Sequence, residues 1–145
     1  HEWAYLSVPR RLLIEELIEP VGGAEFLDYK FHMSHGECLM IQVNEGFRSG
    51  DRKRTMLLPP WNPQPVKWLY SRPDQDPVCP ENLDQMMAIA SAFSRDFPYI
   101  RVDLYSVRQA VLQVMFGEFT FFPGSGSEPV DPYSFDLAMG QRLKL

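Results

Sequence analysis

The sequence predicts an α+β domain whose sheet is mainly antiparallel and flanked by helices. Two pairs of β-rich segments are each joined by a short polar connection, which is typical of hairpins and so of antiparallel pairing. Segments with helical signals follow the first strands at residues 83–95 and the later strands at residues 132–143. The resulting order of strands, helix, strands and helix is characteristic of the α+β class.

The composition is that of one globular domain spanning residues 1–145. The chain is 45% hydrophobic and 13% aromatic, which is enough for a single core. Its formal net charge of -5 argues against a general nucleic-acid surface. No apolar run approaches the roughly 20 residues that a membrane span requires.

The thiols and histidines indicate neither a disulfide framework nor a zinc site. Cys38 and Cys79 are far apart and match no zinc knuckle, so we expect a reducing, cytoplasmic setting. His32 and His35 have H-x-x-H spacing, but a hairpin places them on opposite faces or across its turn.

An apolar segment near the N-terminus is ambiguous. The stretch "RRLLIEELI" at residues 10–18 could be a buried strand or a short helix. Pro20 and the pair Gly22-Gly23 end it in either case, because both residue types interrupt regular structure.

The next region predicts a hairpin and then a long loop. Residues 27–33 and 38–43 are β-rich and flank the turn "SHGE". The following residues, 44–76, mix basic residues, prolines and tryptophans. We expect them to form a loop with short strands near residues 55–58 and 66–70.

The clearest helix covers residues 83–95. Asn82 is a suitable cap, and Gln85 lies three residues further on, as in a capping box. Apolar residues recur at helical spacing along one face. They are Leu83, Met86, Met87, Ala90 and Phe93.

Two strands and a helix complete the domain. "FPYIRVDLY" and "AVLQVMFGEFTFF" read as strands, and the polar "SVRQ" between them suits a hairpin connection. Asp131 followed by Pro132 is a helix-start signal, which predicts a terminal helix over residues 132–143.

Each of the last two strands carries one carboxylate in an apolar run. Asp103 and Glu118 would lie on neighbouring antiparallel strands, where facing Cβ atoms are about 5 Å apart. Two carboxylates that close repel each other unless a cation or a proton intervenes. Magnesium with oxygen ligands, including the Thr120 hydroxyl, is one solution. Salt bridges, such as Arg101 with Asp103, are the other, and the spacing alone leaves both open.

The pattern around these acids resembles a known family. "RVDLY" followed by "GEFTFFPGSG" is similar to the C-terminal signature of the ATP-grasp superfamily. With "DYKF" upstream and "ENLDQMMAIASAFSRDF" before the strands, the chain looks like the TupA-like, teichuronopeptide-biosynthesis branch. Proteins of this branch are associated with cell-surface polysaccharide synthesis and are often labelled glycosyltransferases. The resemblance implies a C-terminal ATP-grasp subdomain and covers nearly the whole chain.

The resemblance implies metal and phosphate roles for the last two strands. Asp103 would bind one magnesium ion and Glu118 would bridge two. Thr120 stands where most ATP-grasp enzymes have an asparagine, and its hydroxyl is a poorer ligand than an amide oxygen. Arg101 would lie near the transferred phosphate or the acyl-phosphate.

The resemblance also implies a nucleotide site. "LLIEELIEP" looks like the hinge that holds adenine through its backbone groups. Lys30 shares a strand face with Asp28 and looks placed for a phosphate. The implied nucleotide-binding residues are Glu16, Leu17 and Ile18 for adenine, Glu19 or Asp28 for ribose, and Lys30 for phosphate.

A basic cluster lies inside this acidic chain. Arg48, Arg52, Lys53 and Arg54 could form a solvated loop or a clamp for a phosphate or carboxylate. A guanidinium can bind such groups with two hydrogen bonds, and this makes Arg54 a candidate catalytic residue together with Arg101 and Lys30.

The implied activity is that of an ATP-dependent carboxylate–amine ligase acting through an acyl-phosphate. The implied cofactors are ATP and Mg²⁺, and the implied substrate is a carboxylate on a uronic-acid polymer or an amino acid. ATP-grasp enzymes close a second subdomain, with a glycine-rich loop, over the phosphates. The sequence contains no such loop. We therefore expect that subdomain to precede His1 and the isolated chain to be inactive.

Two other functions remain open at this stage. One is an ATP-grasp kinase that phosphorylates a sugar, and the other is a non-catalytic module of polysaccharide synthesis. A ligase releases free phosphate and makes an amide, whereas a kinase leaves the phosphate on its substrate.

Overall fold

A computed structural model describes residues 3–15, 17–18, 27–108 and 111–143 of the chain. Its first regular element is one turn of 3-10 helix at Trp3–Tyr5. The Tyr5 ring packs edge-on against Phe121 and Phe122, and the Tyr5 hydroxyl accepts a hydrogen bond from the Phe121 backbone N–H at 2.9 Å. These contacts hold the beginning of the described chain against residues far along the sequence.

Strands dominate the rest of the described chain. A second 3-10 turn lies at Pro123–Gly126. In chain order the strands and helices are β1 (Asp28–Ser34), β2 (Glu37–Glu45), β3 (Lys53–Leu58), β4 (Asn62–Gln64), β5 (Lys67–Trp68), α1 (Leu83–Ser94), β6 (Ile100–Arg108), β7 (Leu112–Thr120), β8 (Val130–Asp131) and α2 (Tyr133–Gly140).

Six of these strands form one antiparallel sheet in the order β4-β3-β2-β1-β6-β7. The strands β5 and β8 form a separate two-stranded ladder. The sheet and its two helices confirm the α+β prediction. Strand β1 lies in the interior of the sheet, whereas β7 lies at one edge.

One face of the large sheet is apolar and carries α1. Alternation along the strands directs Phe31, Ile41 and Val102 to this face, where all three are fully buried. From α1, Met86 and Ala90 pack into the same core. This packing buries one stripe of the helix, as its helical periodicity predicted.

The opposite face is polar at its centre and apolar at one end. At the apolar end, Met40, Met56 and Val66 are buried against Phe135 and Met139 of α2. The rest of the face carries buried charged and polar side chains. This polar part of the sheet contains most of the predicted site residues.

The prediction of a strand or helix over residues 10–18 is wrong for the part that the structure describes. Residues 10–15 and 17–18 have no regular secondary structure. A strand needs neighbouring backbone partners, and neither edge of the large sheet, β4 or β7, pairs with this segment. Its apolar side chains Leu12, Leu13 and Ile14 are 89%, 74% and 88% exposed.

The predicted capping box of α1 is also wrong. The Asn82 side chain makes no capping hydrogen bond. Its oxygen instead accepts a hydrogen bond from the Ser106 hydroxyl at 2.8 Å, and its amide donates to the Gln113 carbonyl at 3.4 Å. Asn82 therefore ties the beginning of the helix to β6 and β7.

Phe93, which the sequence placed on the apolar face of this helix, is 44% exposed.

The second predicted hairpin is present but its connection lies later than expected. Ser106, Val107 and Arg108 belong to β6 and pair with β7. The described ladder ends with Arg108 paired to Leu112, and residues 109 and 110 fall outside the described residues. Both cysteines are free thiols, and in the described part of the chain no helix is long and apolar enough to cross a bilayer.

Candidate functional site

The candidate site lies on the polar face of the large sheet. Asp28 and Lys30 on β1 point to this face, as do Arg101 and Asp103 on β6, because side chains two residues apart share a face. Lys30 pairs directly with Asp103 in the β1–β6 register. Two short sequence motifs, D-x-K and R-x-D, are thus placed side by side by antiparallel pairing.

Lys30 joins the two motifs through ion pairs. Its Nζ lies 2.7 Å from Asp28 Oδ2 and 2.5 Å from Asp103 Oδ2. The Asp103 side chain is 1% exposed, so its charge depends on protein partners rather than on water. Burial raises the pKa of Asp28 above its usual value, although the charge of Lys30 opposes that rise. No described residue donates a hydrogen bond to Asp28 Oδ1, which leaves one buried acceptor unpaired.

Arg101 continues the row of alternating charges. Its Nε and Nη2 donate to the two oxygens of Asp103 at 2.7 and 2.8 Å, the two-point geometry that suits a guanidinium and a carboxylate. Burial alone would lower the pKa of Arg101, but hydrogen bonding and charge attraction to Asp103 raise it overall. Arg101 is therefore a permanently charged member of the site.

The three predicted magnesium ligands converge on one atom of Arg101. Nη2 lies 2.8 Å from Asp103 Oδ2, 2.8 Å from Thr120 Oγ1 and 3.2 Å from Glu118 Oε1. The spacing prediction that the acids of β6 and β7 share a face is thus confirmed. The salt bridge between Arg101 and Asp103, which the spacing left open, is present as well.

A bulge brings Glu118 into this group. The β6–β7 register shifts between Val102 and Leu104, so Asp103 faces both Gly117 and Glu118. A Cβ on Gly117 would lie 2.9 Å from the Tyr105 ring and 3.2 Å from the Asp103 carbonyl oxygen. Glycine therefore permits the close approach, and the extra residue directs Glu118 toward Arg101. The sequence predicted direct pairing of the two acids and missed this bulge.

The donor set fits a magnesium ion in chemistry. Two carboxylates and a hydroxyl are hard oxygen ligands, of the kind that Mg²⁺ accepts alongside water and phosphate. In the arrangement described here, the guanidinium of Arg101 holds the point where these oxygens meet. The described residues contain no group of three His, Cys, Asp or Glu side chains that could hold a metal. Because Arg101 Nη2 occupies the point where the three oxygens meet, a metal could bind there only if Nη2 moved away.

A cavity of about 950 Å³ opens beside the charged row. Its size lies at the upper end of the range for small-molecule sites. It brings together residues from four of the predicted groups: hinge, ribose, phosphate and basic cluster. The predicted site residues that line it are Leu17, Ile18, Asp28, Lys30, Arg48, Arg52, Lys53 and Arg54.

The remaining predicted residues are not among the described residues that line the cavity. Glu16 and Glu19 fall outside the described residues. Arg101, Asp103, Glu118 and Thr120 do not line the cavity, and Lys30 connects them to it through its ion pair with Asp103.

Arg54 is the most constrained member of the basic cluster. Its Nε donates to Asn44 Oδ1 at 3.1 Å and its Nη1 to Glu128 Oε2 at 2.9 Å. Its guanidinium lies 5.0 Å from the centre of the Tyr70 ring. Arg54 is buried, so the solvated-loop interpretation does not hold for it.

Sequence reasoning missed Asn44, Tyr70, Tyr105 and Glu128 as members of the site. Asn44 could have been found, because extending the β1–β2 hairpin from its turn pairs Asp28 with Asn44. Tyr105 lies two residues after Asp103 and shares its face. Tyr70 ends the segment predicted as a short strand near residues 66–70, but that strand ends at Trp68. Glu128 precedes β8, so both residues reach the cavity region from outside the strands.

Comparison with known proteins identifies a family. A family model described as TupA-like ATPgrasp matches residues 1–144 of the chain. The curated proteins and the solved structures contain no match.

Proposed function

Because the chain belongs to the TupA-like ATPgrasp family, we propose that it forms the nucleotide-binding part of an ATP-dependent carboxylate–amine ligase. The proposed setting is cell-surface polysaccharide or teichuronopeptide biosynthesis, with a uronic-acid polymer or an amino acid as the carboxylate substrate. The observation that carries the proposal is the cavity shared by Leu17, Ile18, Asp28, Lys30 and Arg54.

The residues that line the cavity offer a partner for each part of ATP. Backbone groups at Leu17 and Ile18 would bind the adenine edge. Asp28, which has an unpaired acceptor oxygen, would bind a ribose hydroxyl. Lys30 and Arg54 would bind phosphate oxygens, since both are obligate donors with a positive charge.

Asp103, Glu118 and Thr120 would hold magnesium next to the phosphates. The ion supplies positive charge that offsets the negative charge of the transferred phosphoryl group. Arg101, released from these oxygens, would then be free to bind the transferred phosphate or the acyl-phosphate.

The proposed reaction has two steps. A substrate carboxylate oxygen attacks the γ-phosphorus of ATP, ADP departs, and an acyl-phosphate forms. An amine then attacks the acyl carbon, loses a proton, and displaces inorganic phosphate to leave an amide. The protein's part is to position these groups and to neutralise charge, so no side chain needs to form a covalent bond.

We further propose that a second subdomain covers the phosphates with a glycine-rich loop. The cavity opens to solvent, which supports this arrangement because phosphoryl transfer needs water to be excluded. The proposed setting is cytoplasmic, where ATP is available and free thiols such as Cys38 and Cys79 persist.

Binding of ATP and product analysis test the proposal. Calorimetric titration of ATP with Mg²⁺ into the chain should show binding that Lys30→Gln weakens by about 10-fold or more, the loss expected for a charge-assisted hydrogen bond. Lys67→Gln on β5 is the matched control and should leave the affinity unchanged. The protein expressed from its complete gene should release ADP and inorganic phosphate only with a carboxylate and an amine present.

Two outcomes of this test would support other functions. Phosphate retained on a sugar would indicate a kinase. A second candidate, a non-catalytic module, is favoured by one observation: both oxygens of Asp103 already accept hydrogen bonds from Lys30 or Arg101. Absence of ATP binding by the complete protein would support that candidate and contradict the ligase.

A further inference from the structure

A hydrogen-bonded row of buried and half-buried polar side chains runs across the sheet and ends at Arg54. His32, on β1, lies with its Nε2 3.3 Å from Gln42 Oε1. Gln42 Nε2 donates to Asn44 Oδ1 at 3.0 Å, and the same oxygen accepts from Arg54 Nε at 3.1 Å. At the other end, His32 Nδ1 lies 2.7 Å from the Tyr99 hydroxyl. His32 and Gln42 are 0% and 3% exposed.

Arg54 fixes the direction of every bond in this chain. A guanidinium has donors only, so the Asn44 atom facing it must be the oxygen. That oxygen also takes an N–H from Gln42, which leaves the Gln42 oxygen to face His32. His32 Nε2 must then carry the proton, and Nδ1 must accept the proton of the Tyr99 hydroxyl. Only the tautomer of His32 that is protonated at Nε2 allows all of these hydrogen bonds to form.

The surroundings of His32 favour the neutral ring that this direction requires. Burial lowers the pKa of His32 to about 3, and the nearby charge of Arg101 contributes to that fall. The ring packs near two aromatic rings, with centroids 5.6 Å from Trp68 and 6.1 Å from Tyr99. The imidazole is thus neutral, packed and fixed in orientation.

The bonds of Arg54 leave one end of its guanidinium available. Nε binds Asn44 and Nη1 binds Glu128, while Nη2 donates to no group in the part of the chain that the structure describes. Arg54 also lines the cavity that contains Lys30. A buried arginine with two nitrogens anchored and the third unused is well arranged to bind an oxyanion.

We propose that Tyr99, His32, Gln42 and Asn44 are positioning residues that aim Arg54 at an oxyanion in the cavity. The inference rests on the proposed function in that this oxyanion is a phosphate of the nucleotide or the carboxylate of the substrate. Tyr99, His32 and Gln42 do not line the cavity, whereas Asn44 lines it and carries their effect to Arg54. They act by fixing the rotamer of Arg54, so their loss reduces anion affinity and leaves recognition of the nucleoside unchanged.

Two substitutions of His32 separate hydrogen bonding from packing. His32→Phe keeps an aromatic ring near Trp68 and Tyr99 but removes both hydrogen bonds. His32→Gln keeps an amide N–H that can donate to Gln42. Calorimetric titration with tripolyphosphate, glucuronate and adenosine measures the two anion types and the nucleoside separately. Thermal unfolding shows which variants are folded, and Gln42→Met replaces His32→Phe if the latter fails to fold.

We expect His32→Phe to weaken binding of at least one anion by about 10-fold, the usual size of one lost hydrogen bond to a charged group. His32→Gln should remain within about 3-fold of the wild type, and adenosine affinity should be unchanged in both variants. Loss with tripolyphosphate identifies the oxyanion as phosphate, and loss with glucuronate identifies it as carboxylate. In an Arg54→Met background, His32→Phe should weaken anion binding no further, since the four positioning residues act through Arg54.

Four results would overturn the inference: equal loss in both His32 variants, no loss in His32→Phe, an additive loss in the Arg54→Met background, or a wild type that binds neither anion. Isotope-edited NMR adds a test without ligand, because the nitrogen shifts of His32 should show a protonated Nε2 and a bare Nδ1. The opposite tautomer would also overturn it. Failure of wild type to bind ATP, with His32-dependent anion binding retained, would contradict the proposed function alone.

Discussion

Arg101 holds both carboxylate oxygens of Asp103, at 2.7 Å from Nε and 2.8 Å from Nη2, and the same Nη2 atom contacts Glu118 and Thr120. The guanidinium thus provides the positive charge that a pair of neighbouring acids needs. A divalent ion at this point has to compete with a cation that is covalently part of the chain. This relationship makes the metal proposal testable without any turnover measurement.

Removal of Arg101 should create a metal site in the absence of nucleotide. We expect Arg101→Gln to bind Mn²⁺ about 10-fold more tightly than wild type, because Glu118 then loses the cation beside it and Asp103 keeps only Lys30. Electron paramagnetic resonance of free Mn²⁺ measures the affinity directly. Arg108→Gln, on the same strand and paired with the exposed Glu81, is the matched control. Equal Mn²⁺ affinity in both variants would remove Asp103, Glu118 and Thr120 as metal ligands.

The two acids should differ in their contribution to stability. Asp103→Asn leaves the buried Lys30 and the largely buried Arg101 without their shared counter-charge, and loss of one partner of a buried pair costs about 3 kcal/mol or more. Glu118→Gln should change the free energy of unfolding by less than about 0.5 kcal/mol, because the Glu118 side chain is 65% exposed. Urea unfolding monitored by tryptophan fluorescence checks both values, and similar losses would contradict the assignment. Both variants should lose magnesium-dependent ATP turnover in the complete protein.

Gly117 should be intolerant of even one added carbon. Gly117→Ala places a Cβ against the Tyr105 ring and the Asp103 carbonyl oxygen, and overpacking of this kind costs about 1–3 kcal/mol. The control is Gly140→Ala, where an added Cβ has no atom within 4 Å. Thermal unfolding of both variants tests the prediction. An unchanged melting temperature for Gly117→Ala would mean that the bulge tolerates a side chain.

Stability should depend on the protonation of His32 in mildly acidic solution. The folded-state pKa of about 3 lies below the usual 6.5, so the unfolded chain binds one more proton between these values. Stability from this group is complete above pH 6.5 and is lost as pH falls toward 3, by at most about 1.4 kcal/mol per pH unit. His32→Gln should flatten the decline. Urea unfolding between about pH 7 and 4.5 gives the two slopes, and parallel slopes would contradict a neutral buried His32.

The sequence was informative where the spacing of apolar residues and the residues typical of turns indicated the same structure. The β1–β2 hairpin follows from alternating side chains around a turn that contains Gly36, whose φ of 81° suits glycine. The apolar stripe of α1 follows from the helical spacing of its apolar residues, and the large sheet buries that stripe. The polar face was predictable in part, since Asp28 with Lys30 and Arg101 with Asp103 each share a face by alternation.

Other features depend on contacts that a linear pattern does not encode. Asn82 is a residue type that favours helix caps, but its side chain forms hydrogen bonds with Ser106 and Gln113 instead. These two residues lie near Asn82 only because of the tertiary fold. The bulge at Gly117 and Glu118 depends on how two strands meet. The position of Arg101 among three oxygens depends on that bulge, so spacing alone could not choose between salt bridge and metal.

The edge position of β7 divides the proposed ligand set into two mechanical classes. Asp103 lies on β6, which has a hydrogen-bonded neighbour on both sides, whereas Glu118 and Thr120 lie on a border strand that has a neighbour on one side. Border strands open at lower free energy than interior ones. The backbone at Asp103 is therefore held more firmly than the backbone at Glu118 and Thr120. Glu118 and Thr120 should move to accommodate an incoming ion while Asp103 stays in place.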